Sequence, residues 1–140
     1  MTIVGAGGAA TAIEIQAALD GVGEIVIFNR KDEFWGRAVS TVEKINTRTS
    51  SHAVLYDLAD LDQLKKEMAD SYIFVNATGV GMKPLEGQSV VPASLTSARS
   101  LIVVDVPYPL LKLLCVLWQG SWLQDNERPW HDAFPGLRCI

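Results

Sequence analysis

An apolar strand that breaks on glycines directly into a helix opens this chain: Ile3-Val4-Gly5-Ala6-Gly7-Gly8-Ala9-Ala10. A turn of that kind brings backbone N–H groups and the positive end of a helix to one point, where they suit a pyrophosphate. Gly5 is expected to make the tight turn. Gly7 would let the phosphates approach without a Cβ in the way. Ala10 stands where close helix–sheet packing needs a small residue. Ala6, Gly7, Gly8 and Ala9 are therefore the candidate pyrophosphate cradle. Any tight strand–helix turn selects glycine, so the motif needs context.

The context follows. Ala10 to Leu19 reads as a helix with Ile13, Ala17 and Ala18 spaced for a buried stripe, stopped by Gly21 and Gly23. Ile25-Val26-Ile27-Phe28 is a second buried strand, and Asn29-Arg30-Lys31-Asp32 stands at its end. That is about 20 residues past the glycines, where dinucleotide folds read the adenosine ribose. A carboxylate there accepts hydrogen bonds from the ribose hydroxyls of NAD; an arginine offers a charged planar fork to the 2′-phosphate of NADP. Both kinds of group are present. The plainer reading of the stretch is a solvated loop with Asp32 and Glu33 starting a helix.

The 140 residues suit one domain with a substantial core. A net charge of −4 gives no broad attraction to nucleic acid or to an anionic membrane. No apolar run approaches the ~20 residues of a membrane span, and no signal-peptide pattern opens the chain. Cys115 and Cys139 form no metal-type pair, which fits cytosolic thiols, and His52 and His131 lack the cluster a metal site needs. The expectation is a cytoplasmic protein with no metal, membrane or nucleic-acid partner.

Strands are expected at about 2–5, 24–28, 52–56, 72–76 and 101–106, and helices at about 8–19, 32–47 and 60–70, the last with Asp60 as N-cap and Gln63 at its third position. This alternation implies an α/β fold, a Rossmann-like doubly wound parallel sheet with right-handed crossovers. Two further strands end in polar loops. One runs from Ser71 into Asn76-Ala77-Thr78-Gly79-Val80-Gly81-Met82; the other is Leu101 to Val106, followed by Pro107 and Tyr108. Ligands of open parallel sheets bind beyond the carboxyl ends of strands, which is where Asn76, Thr78 and Gly79 would stand. Asp105 could face that site or cap a neighbouring helix.

Together these segments resemble the C-terminal dinucleotide-binding domain of the shikimate dehydrogenase family. GAGGA appears as Gly5 to Ala9, NR as Asn29-Arg30, NATxxGM as Asn76 to Met82, and VxDxxY as Val104 to Tyr108. The Asp two residues after the Arg looks most like the quinate/shikimate dehydrogenase branch, which accepts NAD as well as NADP. The resemblance implies that Ala6 to Ala9 hold the pyrophosphate and Asn29, Arg30, Lys31 and Asp32 the adenosine end. It implies that Gly79 and Val106 to Tyr108 approach the nicotinamide, with Thr78 beside Gly79 a further cofactor-binding candidate. It also implies hydride transfer between the nicotinamide and the C3 hydroxyl or ketone of shikimate or quinate, in aromatic amino acid biosynthesis.

The departures shape the expectation. Members of the family begin with a separate domain that binds shikimate or quinate and supplies a catalytic Lys and Asp. Lys31, Lys83 and Lys112 do not lie in that motif, so no catalytic residue is assigned. The domain is expected to span 1–108, truncated at both ends relative to the family, with 109–140 an aberrant tail. After Tyr108 the family continues into a segment of the type NGLGMLLWQG. The codons of Leu123 to Leu137, read one nucleotide later, permit CKTMNGLGMMLFQG, so the tail is expected to be out of frame, the alternative being a divergent but genuine extension. Such a tail would leave Trp118, Trp122, Trp130 and Phe134 without evolved pockets and favour marginal stability or a homo-oligomer. The competing function is a module that binds NAD(P) without turnover. Other enzymes on the same scaffold, such as glutamyl-tRNA reductase, fit the motif order less well.

Overall fold

A computed structural model describes residues 1–85, 88–92 and 101–106. In chain order the elements are β1 (Thr2–Val4), α1 (Gly8–Leu19), β2 (Glu24–Asn29), α2 (Trp35–Arg48), β3 (His52–Asp57), α3 (Leu61–Asp70), β4 (Ile73–Asn76) and β5 (Ile102–Asp105). The strands form one five-stranded sheet in the order β3-β2-β1-β4-β5, and every pairing is parallel. Each expected strand is present, with ends shifted by no more than a residue or two. The order reverses between β1 and β4, which makes the crevice between their carboxyl ends the switch point of the sheet.

Successive side chains of a strand point to opposite faces, and the core divides accordingly. Val4, Val26, Phe28 and Phe74 pack with Leu64 and Met68 of α3 on one face. Ile3, Ile25, Ile27 and Val75 pack with Ala10 and Ala18 of α1 and Ile45 of α2 on the other. Helices on both faces make the sheet doubly wound. Strands buried on both sides read as unbroken apolar runs, as Ile25 to Phe28 does.

The helix ends follow local chemistry. Gly21, at φ +86°, closes α1 with its N–H on the Ala18 carbonyl at 3.2 Å and the Val22 N–H on that of Ala17 at 3.0 Å. Asp60 caps α3, accepting the Gln63 N–H at 3.0 Å. Two expectations are corrected. α2 begins at Trp35 rather than at 32, because the Asp32 carboxylate turns the chain first, accepting the Phe34 N–H at 3.0 Å. The buried stripe of α1 is Ala10, Glu14 and Ala18 rather than Ile13, Ala17 and Ala18; Ile13 and Ala17 are only half-buried. Glu14 is an acid fully buried within that stripe. Tyr108, Cys115, His131, Cys139 and the 109–140 tail lie outside the described residues.

Candidate functional site

Parallel pairing brings the carboxyl ends of all five strands to one edge. Val4 is level with Phe28 on one side and Asn76 on the other, Asn29 with Asp57, and Asn76 with Asp105. The loops after β1, β2, β4 and β5 therefore share one rim, and with them every sequence-derived site residue among the described ones.

At the centre, backbone bonds tie the β1 turn to both neighbours. The Gly5 N–H donates to the Phe28 carbonyl at 2.8 Å, and the Ala77 N–H to that of Val4 at 2.9 Å. Gly5 has φ +119°, and a Cβ there would lie 2.7 Å from the Ala77 carbonyl oxygen. Its glycine is required by the fold itself, where the β1 and β4 loops meet. Ala6 is buried, while Gly7 is half-buried and Gly8 and Ala9 are exposed. A Cβ on Gly7 or Gly8 would meet nothing within 4 Å. Among the described residues these two glycines answer to no contact; they keep open the space in front of α1. Gly7 caps α1 with no side-chain hydrogen bond, and no acid stands in the first turn. Uncapped by any side chain among the described residues, the helix N-terminus presents its N–H groups and positive dipole to that space, a donor set that fits a pyrophosphate.

On the β2 side, Asn29 is buried and Arg30, Lys31 and Asp32 are exposed. Asn29 Nδ2 donates to the Arg30 carbonyl at 2.7 Å and to Asp32 Oδ1 at 3.2 Å. Arg30 Nε lies 3.8 Å from Asp32 Oδ2. Lys31 Nζ lies 3.5 Å from Asp57 Oδ2 and 5.7 Å from the centre of the Trp35 ring. Asp32 is thus partly spent on its own loop, while the Arg30 side chain is 72% exposed and able to reach a phosphate.

On the β4 side, Thr78 is half-buried and Gly79 exposed, and Val106 is exposed beside them with its N–H on the Asn76 carbonyl at 2.9 Å. Asn76 and Asp105 are buried, and Asn76 Nδ2 donates to Asp105 Oδ1 at 2.7 Å. Asp105 caps none of the helices among the described residues. Burial raises its pKa above the ordinary carboxylate value, and the Asn76 hydrogen bond opposes that rise. The Asn76–Asp105 and Lys31–Asp57 pairs join residues that sequence spacing does not bring together; the only signal was the polar residue closing each apolar strand. Among the described residues no group of three or more His, Cys, Asp or Glu could hold a metal ion, and no helix is long and apolar enough to cross a membrane. A groove lined by Ile15, Leu19 and Arg48 lies at the opposite ends of α1 and α2, away from this rim.

No family model matches the chain. The shikimate dehydrogenase (NADP(+)) of Listeria innocua serovar 6a is 63% identical over 138 residues, covering 86% of this chain and 47% of that enzyme. The shikimate dehydrogenase (NADP(+)) of Streptococcus uberis is 51% identical over 108 residues, covering 77% of this chain and 37% of its own length. The shikimate 5-dehydrogenase of Listeria monocytogenes, solved with shikimate and NAD, superposes with a TM-score of 0.80 at 56% identity, covering 86% of this chain and 43% of that one. Quinate dehydrogenase of Corynebacterium glutamicum, solved with NAD, has a TM-score of 0.69 at 24% identity, with 86% and 40% covered, and shares the fold. The chain spans about half the length of the curated relatives it matches. In sequence and in fold, this chain is related to the shikimate dehydrogenases across that half.

Proposed function

We propose that this chain is the NAD(P)-binding half of a shikimate dehydrogenase. The observation that carries the reading is the open glycine cradle before α1, set at the β1/β4 switch point and flanked by the Arg30 loop on one side and the Thr78 loop on the other. The related enzymes are named for NADP(+), and the Listeria monocytogenes structure holds NAD with shikimate, which supports the same cofactor here. A nicotinamide dinucleotide supplies the hydride donor or acceptor when bound. The residues of this chain bind and orient it.

In this reading Ala6, Gly7, Gly8 and Ala9 take the pyrophosphate through backbone N–H groups. Asn29 shapes the adenosine loop, and Arg30 and Lys31 provide the cations for a 2′-phosphate. Asp32 favours a free ribose hydroxyl and restrains Arg30, so NAD and NADP are both accepted. Thr78, Gly79 and Val106 border the nicotinamide end, and Tyr108 follows them in the chain. Substrate recognition and the proton relay belong to the rest of the enzyme, so shikimate or quinate engages only when that part is present. With the reading come a cytoplasmic location and a place in aromatic amino acid biosynthesis.

Calorimetric titration of the purified chain with NAD and with NADP is the test. Saturable binding of either at one site supports the reading, and absence of both overturns it.

A further inference from the structure

One polar chain on the rim does more than line it. Asp105 Oδ1 accepts from Asn76 Nδ2 at 2.7 Å, and both residues are buried. A carboxylate can only accept, so this bond fixes which end of the Asn76 amide faces β5 and which faces its own loop. The freed Oδ1 then accepts twice from Thr78, from its N–H at 3.2 Å and its hydroxyl at 2.8 Å. With its proton committed, Thr78 Oγ1 is an acceptor, and the Val80 N–H donates to it at 3.0 Å. Every link has one direction, and the direction is set at Asp105.

The chain of bonds ends in a functional place. The loop it holds rests against Gly5, whose absent Cβ would lie 3.3 Å from Thr78 Cγ2 as well as against the Ala77 carbonyl. Gly79, between the last two residues of the relay, is exposed, and among the described residues nothing lies within 4 Å of its would-be Cβ. The relay therefore holds an exposed stretch of main chain beside the switch point, on the side away from the Arg30 loop.

We propose that Asp105 is a positioning residue, acting through Asn76 and Thr78 to hold the Thr78–Gly79 main chain in the form that receives the nicotinamide end of the cofactor. This rests on the nucleotide-binding reading above. The relay orients the receiving surface and itself carries out no chemical step. A neutral amide at position 105 can present either end to Asn76, so the direction of the relay is lost while its volume is kept. Removing the Thr78 hydroxyl breaks the same relay at its loop end.

The test compares NAD with ADP-ribose, which lacks only the nicotinamide, by calorimetry on the wild-type chain and on Asp105→Asn, Thr78→Val and Thr78→Ser. Asp105→Asn and Thr78→Val are expected to weaken NAD about three- to tenfold while leaving ADP-ribose nearly unchanged, and Thr78→Ser to restore NAD binding. Amide exchange at Val80 should quicken in the first two variants. Equal losses for both ligands, or no loss for either, in variants that keep the wild-type circular dichroism overturn the proposal and leave the nucleotide site standing. A wild-type chain that binds neither ligand overturns the nucleotide reading and the proposal with it. If Asp105→Asn unfolds, the Thr78 pair decides, because that side chain is only half-buried and its change to Val keeps the volume.

Discussion

Gly5 and Gly7 stand two residues apart and are glycines for different reasons. Gly5 combines φ +119° with a would-be Cβ 2.7 Å from a backbone oxygen, so a side chain there strains the turn and pushes β1 and β4 apart. Gly7 has φ −73°, open to any residue, and empty space at its Cβ. Gly5→Ala is therefore expected to cost about 2–4 kcal/mol in denaturant unfolding. Gly7→Ala should change stability by no more than about 1 kcal/mol and yet weaken nucleotide binding in the same calorimetric titration. Asp32 separates two roles in a similar way. Its carboxylate braces the Asn29–Phe34 turn and lies beside Arg30. In Asp32→Ser a hydroxyl still accepts the Phe34 N–H, while the charge that restrains Arg30 is gone. The ratio of NADP to NAD affinity should rise by about three- to tenfold, and an unchanged ratio would show that the carboxylate does not face the ribose.

Among the elements, α1 carries the least expected feature. Glu14 is fully buried between Ala10 and Ala18, and neither carboxylate oxygen has a hydrogen-bond partner among the described residues. Burial alone raises its pKa from 4.5 to about 7. In the unfolded chain the group ionises from 4.5 upward, while the folded chain keeps its proton until about 7. Ionisation therefore favours unfolding across that window, and stability falls as pH rises through it, then levels off above it. Glu14→Gln should stabilise the protein by about 1–3 kcal/mol at about pH 8, leave it nearly unchanged at about pH 4, below both values, and flatten the dependence of Tm on pH between them. A wild-type Tm that holds steady over the same range would refute the assignment. Elsewhere α2 secures the edge strand β3: Asn46 Nδ2 donates to the Ala53 carbonyl at 2.9 Å, and the Ala53 N–H donates to Asn46 Oδ1 at 2.7 Å. The amide thereby supplies both backbone partners that Ala53 would otherwise lack on its open side.

For the whole molecule, the sheet order decides what the loops can do together. β1 sits between β2 and β4, so the glycine turn is the common neighbour of the Arg30 loop and the Thr78 loop. A ligand laid across the switch point is held at its middle by α1 and at its two ends by different strands. In the proposed reading this arrangement binds and orients a dinucleotide, and it brings no assigned proton donor or acceptor to a substrate. The chain alone is expected to bind NAD or NADP and to give no measurable reduction of NADP with shikimate or with quinate. Turnover by the chain alone, measured as absorbance of the reduced nicotinamide, would mean that a proton relay exists within these residues.

The alternation of strands and helices, the glycine turn, the polar end of β2 and the Asp60 cap were all legible along the chain. Each is governed by interactions between residues a few positions apart, and such interactions leave a period or a spacing in the sequence. The start of α2 was misplaced because Asp32 can begin a helix or close a turn with equal local chemistry, and only the Asn29 amide beside it settles which. Glu14 was invisible as a core residue because its helical position, rather than its type, put it against the sheet. The same holds for Asn46 on Ala53 and for Asn76 on Asp105, which are 7 and 29 residues apart. Local spacing determined the elements and the candidate ligand class. Strand order and register determined which polar side chains meet at the rim, because those meetings depend on distances that arise only when β1 comes to lie between β2 and β4.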